Sequence, residues 1–92
     1  MTHDDDDVDR PEYSVCQFFK TGEYEYVRRG VYAEEAMTAL GHYTNSVAAK
    51  CGMVVRVIVT DGGDNCCAEW IEGRFTFPPE LVEEQKRREQ MQ

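Results

Sequence analysis

The chain has no apolar run near the roughly 18 residues that a bilayer-spanning helix requires. Its first ten residues are acidic, unlike a secretory leader. Both absences point to a soluble, cytoplasmic protein of a bacterial or phage-infected cell, with no membrane partner. Clustered basic residues are scarce as well: the formal charge is −8, and Arg28-Arg29 makes only a small basic spot. Phosphate-led nucleic-acid binding needs clustered Lys and Arg, so no direct contact with nucleic acid is expected. Four cysteines (Cys16, Cys51, Cys66, Cys67) and two histidines (His3, His42) contain no CxxC pair and no CxxC…HxxxH frame. In a strand Cys66 and Cys67 point to opposite faces, where they cannot easily share one ion. The cysteines therefore read as small reduced hydrophobes.

What is present is enough for one domain: 92 residues, 41% hydrophobic, ten of them aromatic. The acidity is unevenly spread. Residues 1–12 carry six acids and one base, residues 13–79 eight acids and six bases, and residues 80–92 four and three. A block of like charges repels itself and offers nothing to bury, so 1–12 is expected to be a disordered acidic tail, 13–79 the folded domain, and 80–92 a polar helical or frayed tail.

Along the chain, Tyr13–Phe19 is rich in β-formers, Lys20-Thr21-Gly22-Glu23 makes a turn, and Tyr24–Arg29 returns as a second strand. The period then changes. Ala36, Leu40, Tyr43, Val47 and Cys51 recur every three or four residues, with Met37 and Ala48 widening the stripe, which predicts an amphipathic helix of about five turns. Glu34 and Glu35 suit its first turn, and Lys50 and Gly52 suit its end. Gly41 inside it suggests a close approach to the sheet. Met53–Trp70 is the most legible stretch: alternating β-branched residues, the turn Asp61-Gly62-Gly63-Asp64-Asn65 with its glycines supplying the backbone freedom, and a second apolar run. Gly73–Phe77 either extends the sheet or wraps its edge. Glu80–Gln92 has too little apolar surface to pack firmly. The expected fold is α+β, β-β-α-β-β: a four-stranded antiparallel sheet with one helix on one face.

Candidate chemistry is thin. Asp61, Asp64 and Asn65 offer oxygen ligands for a metal, and the Asp61–Cys67 loop is the place for a metal or ligand site if there is one. The order D-G-G-D-N does not fit an EF-hand loop, and a hairpin turn uses the same residues. Gly62-Gly63 lacks the lysine and following helix of a phosphate cradle. No spacing brings His42 to a cysteine as a nucleophile–base pair. Glu69 beside Trp70 suggests a carboxylate with a raised pKa, but no second carboxylate stands with it for acid–base work. No catalytic residue, enzyme activity or cofactor is expected.

The frame Tyr26-Val27-Arg28-Arg29, Ala33-Glu34-Glu35-Ala36, Val57–Asp64 and Glu69-Trp70 resembles a group of small uncharacterised bacterial β-β-α-β-β proteins over residues 13–79. The resemblance implies a fold and no activity. The same element order is similar to that of some phage-encoded anti-CRISPR proteins, an analogy of size and topology. One helix covers one face of such a sheet. The other face would hold part of Val15, Phe19, Tyr24, Tyr26, Ile58 and Ile71, unless the C-terminal segment folds over it. The expected function is a non-enzymatic protein-interaction or regulatory module, homodimeric through that face or an edge strand, with a further unidentified protein as partner. The alternatives are an anti-CRISPR-type inhibitor of a nucleic-acid-binding complex and the loop-based metal or ligand domain.

Overall fold

A computed structural model describes residues 10–90, so the acidic run of residues 4–9 lies outside the described residues. The fold is α+β, with a five-stranded antiparallel sheet and three helices. In chain order these are β1 (Tyr13–Phe19), β2 (Tyr24–Val31), α1 (Ala33–Thr44), α2 (Val47–Lys50), β3 (Val54–Thr60), β4 (Cys66–Ile71), β5 (Arg74–Phe77) and α3 (Pro79–Gln90). The sheet runs β2-β1-β3-β4-β5.

The two hairpins form where their alternation and turns place them. Between β1 and β2, Gly22 takes φ 97°, a value that suits a residue without Cβ. At the β3–β4 tip the left-handed residue is Asp64, with φ 62°, and neither Gly62 nor Gly63 has positive φ, contrary to expectation. The Asp61 carboxylate organises the tip instead: its Oδ1 accepts from the N–H groups of Gly63 at 2.8 Å and Asn65 at 3.0 Å.

The single five-turn helix is in fact two helices. Thr44 Oγ1 donates to the Leu40 carbonyl and Asn45 Nδ2 to the Gly41 carbonyl, both at 2.8 Å. Ser46 Oγ then accepts from the Ala49 N–H at 3.1 Å, capping a new start. Three consecutive side chains that compete for backbone partners end one helix and begin the next. The break turns the apolar stripe: Ala36, Ala39, Leu40 and Ala49 are buried, whereas Met37 and Val47 are exposed. Gly41 faces open space, since a Cβ there would meet nothing within 4 Å, so it does not serve close packing.

The core lies between α1–α2 and one face of the sheet. Val15, Val54, Val57, Val59, Ala68 and Trp70 come from the strands, and Ala36, Ala39, Leu40 and Ala49 from the helices complete it. A fully buried Val or Leu side chain stabilises by about 1.5–3 kcal/mol relative to exposure. Arg28 ties β2 to α1: its guanidinium stands 3.5 Å from Glu35 and 5.9 Å from the centre of the Tyr43 ring.

Two elements exceed the expected four strands and one helix. Glu72 (φ 46°) and Gly73 (φ 95°) turn the chain tightly enough for Arg74–Phe77 to pair with β4. The segment expected as a polar helical or frayed tail forms the helix α3, held largely by polar contacts. The Gln85 amide reads the outer backbone of β5 with both its atoms, Oε1 accepting from Phe75 N–H at 2.8 Å and Nε2 donating to Gly73 O at 3.0 Å. Arg74 and Glu89 form a two-pronged ion pair at 2.9 and 3.0 Å. Leu81 adds an apolar contact against the core.

Candidate interaction surface on the open sheet face

Because α3 docks along β5 and against the core that α1 and α2 share, it leaves the other sheet face uncovered by any described element. Register sets out that face as rows. One row runs Tyr26, Cys16, Ile58, Glu69 across four strands. At β5 the register shifts, and Thr76 is the residue whose side chain meets Glu69. The next row runs Tyr24, Phe18, Arg56, Ile71, Arg74. Tyr24 is 63% exposed, Tyr26 42% and Ile71 37%. Three large apolar side chains exposed on one face form a patch rather than scattered residues.

Their rings and charges connect. Arg29 lies over Tyr26, its guanidinium carbon 4.0 Å from the ring centre. Tyr26 meets Tyr24 edge-on at 6.1 Å, and Tyr24 meets Phe18 at 5.8 Å. Arg56 covers Phe18 at 4.9 Å and binds the Glu69 carboxylate at 2.7 Å, whose other oxygen accepts from Thr76 Oγ1 at 2.6 Å. Cation–π and edge-to-face geometry holds the aromatics in fixed orientations, so the surface is preformed.

The sequence-based candidates divide between the two faces. Tyr24, Tyr26, Ile58 and Ile71 lie together on the open face. Val15 does not: it is wholly buried in the core beneath the helices, and a residue with no exposed surface cannot contact a partner. Phe19 is half-buried and packs against the same core, since alternation along β1 puts it on the side of Val15 and Gln17. Sequence reasoning missed Phe18 and Arg56. The signal for Phe18 was its shared parity with Cys16 in a strand whose other face carries Val15.

The remaining candidates are placed by their contacts. Asp61 spends its carboxylate on amides of its own turn, and these bonds hold its pKa below the ordinary range. Asp64 and Asn65 are exposed at the same tip. Among the described residues no three His, Cys, Asp or Glu stand where they could hold a metal ion. Glu69 lies on the face opposite Trp70, and the Thr76 hydroxyl first, then Arg56, holds its pKa below the usual value rather than raising it. His42 meets Tyr43 edge-on at 4.8 Å. Cys16, Cys51, Cys66 and Cys67 are free thiols, and burial pushes those of Cys16 and Cys67 up. No helix among the described residues is long and apolar enough to cross a membrane.

The two rims of the sheet are closed differently. The Gln85 amide occupies backbone groups of β5 on one side. On the other, β2 carries register shifts on either side of the Val15–Arg28 pair, and Gly30 takes φ 62°. Bulges of this kind twist an edge strand out of the flat geometry that another strand needs for pairing. Comparison with protein-family models, with curated proteins and with solved structures found no match to this chain.

Proposed function

We propose that this chain is a non-enzymatic interaction module that pairs with a second copy of itself through the open sheet face. The observation that carries the reading is the patch of Phe18, Tyr24, Tyr26, Ile58 and Ile71, which α3 leaves bare by docking elsewhere. Five strands at about 4.8 Å spacing and about six residues of length make a face roughly 24 by 20 Å. With side-chain relief, that is of the order of the about 800 Å² per partner that a stable interface buries. The charges suit self-stacking. Arg56 and Glu69 neutralise one another within the face, so two copies need not bury an unpaired carboxylate. The bulged β2 and the occupied β5 favour the face over strand-edge pairing.

Sedimentation velocity tests this. The full chain is expected to sediment as a dimer at micromolar concentration. The double variant Tyr24→Asp, Ile71→Asp, with both sites exposed in the single chain, is expected to sediment as a monomer with an unchanged circular dichroism spectrum. A wild-type chain that stays monomeric up to about 100 μM, a weak affinity for a self-associating module, would show the reading to be wrong.

A further inference from the structure

On the helix side of the sheet, away from the open face, α3 does not close against α1 and α2. A cleft of about 790 Å³ remains between them, and its apolar wall includes Trp70, Phe75, Leu81 and Val54. A recess of about 170 Å³ adjoins it between α1 and α3, past Met37 and Gly41. The volume lies in the range of small-molecule sites, which combine an apolar lining with a few polar groups that fix orientation.

The charges around the cleft are not equivalent. Glu84 is paired with Arg88 at 3.1 Å, and Glu89 with Arg74 at 2.9 Å. Gln85 is committed to the β5 backbone. Lys20 and Lys50 also line the cleft, and neither has a carboxylate within ion-pair distance among the described residues. Their backbones lie together at one end. The N–H of Lys20 donates to Met53 O at 2.8 Å, which fixes the exit of β1 beside the α2–β3 connection, and Lys50 ends α2 just before it. Against these two ammonium groups stands one unpaired acid in the lining, Glu72. An apolar trough with two unneutralised cations at one end is complementary to an amphipathic anion.

We infer that this cleft binds a small amphipathic carboxylate, its hydrocarbon body along Trp70, Phe75 and Leu81 and its carboxylate at Lys20 and Lys50. The site is on the opposite side of the sheet from the self-association surface and does not depend on it. Such a ligand would bridge α3 and the core, adding apolar contact to a helix that otherwise docks through polar groups.

Trp70 is the only tryptophan, so its indole gives a single, assigned resonance in a nitrogen–proton correlation spectrum. The full chain would be titrated with octanoate, and separately with octanol and octylammonium. Octanoate is expected to shift the Trp70 indole signal saturably, with half-saturation at or below about 1 mM, a modest affinity for so small a ligand. Octanol and octylammonium are expected to bind at least about tenfold more weakly. The double variant Lys20→Gln, Lys50→Gln changes two exposed side chains, and its spectrum reports whether it is folded. It is expected to bind octanoate no better than octanol. Equal binding of octanol and octanoate by the wild type would overturn the proposal. So would an indole that stays still while amides of Tyr24, Tyr26 and Arg56 move, which places the anion on the other face.

Discussion

At Gly41 the helix α1 carries a residue that nothing around it requires. Its φ is not positive and the space where a Cβ would stand is open. Replacing it with alanine removes unfolded-chain freedom without a clash. Gly41→Ala is expected to raise unfolding stability by about 0.5–1 kcal/mol, read as a higher urea midpoint with unchanged slope. Glu69 makes the opposite kind of contribution. The Thr76 hydroxyl and Arg56 hold its carboxyl below the ordinary value near about 4.3. A carboxylate depressed in the folded state adds stability above its unfolded pKa and loses it as pH falls through its folded pKa. The stability gap between the wild type and Glu69→Gln should therefore be present at pH 7 and shrink steadily below about pH 4. Paired urea titrations across that range check the sign, and a gap that widens in acid would contradict it. The residue scale also explains why Val15 was misplaced. It and Phe18 differ by one step of parity, and a sequence cannot say which parity meets the helix when both faces of a strand are apolar.

Among the elements, the hairpins were the most legible in sequence because alternation and turn chemistry agree there. The α1–α2 break was written in Thr44-Asn45-Ser46 as well, but a periodicity count passes over three polar residues within an apolar stripe. The docking of α3 was hidden for a different reason. Its hold on β5 comes chiefly from one amide and one ion pair, and neither leaves a trace in hydrophobic spacing. That gives Gln85 unusual weight for a half-buried polar residue. Gln85→Ala would strip Phe75 N–H and Gly73 O of their partners together. The expected cost is about 1–2 kcal/mol in the local opening of α3, seen as faster amide exchange at Phe75 and through residues 79–90. Exchange in β1 and β3 should stay as it was. Acceleration that spreads equally to all strands would mean that α3 docks by other means.

For the molecule as a whole, sequence order indicated an α+β chain with an unequal sheet, one face covered and one not. It left open where residues 80–92 go, and the docking of α3 decides which face stays bare. The candidate surface is thus a product of tertiary arrangement more than of any motif: Tyr24, Tyr26, Ile58 and Ile71 are visible as apolar strand residues, but Phe18 and Arg56 join them only once β1, β3 and β4 are in register.

The two rims bear on how this sheet meets its neighbours. An amide seated on β5 and a bulged, twisted β2 are unrelated devices, yet both deny an incoming strand a straight ladder to extend. Were two copies to stack as proposed, the face would be consumed while the rims offer no template for growth, and association would close on itself after one addition, its stoichiometry capped by geometry rather than by affinity.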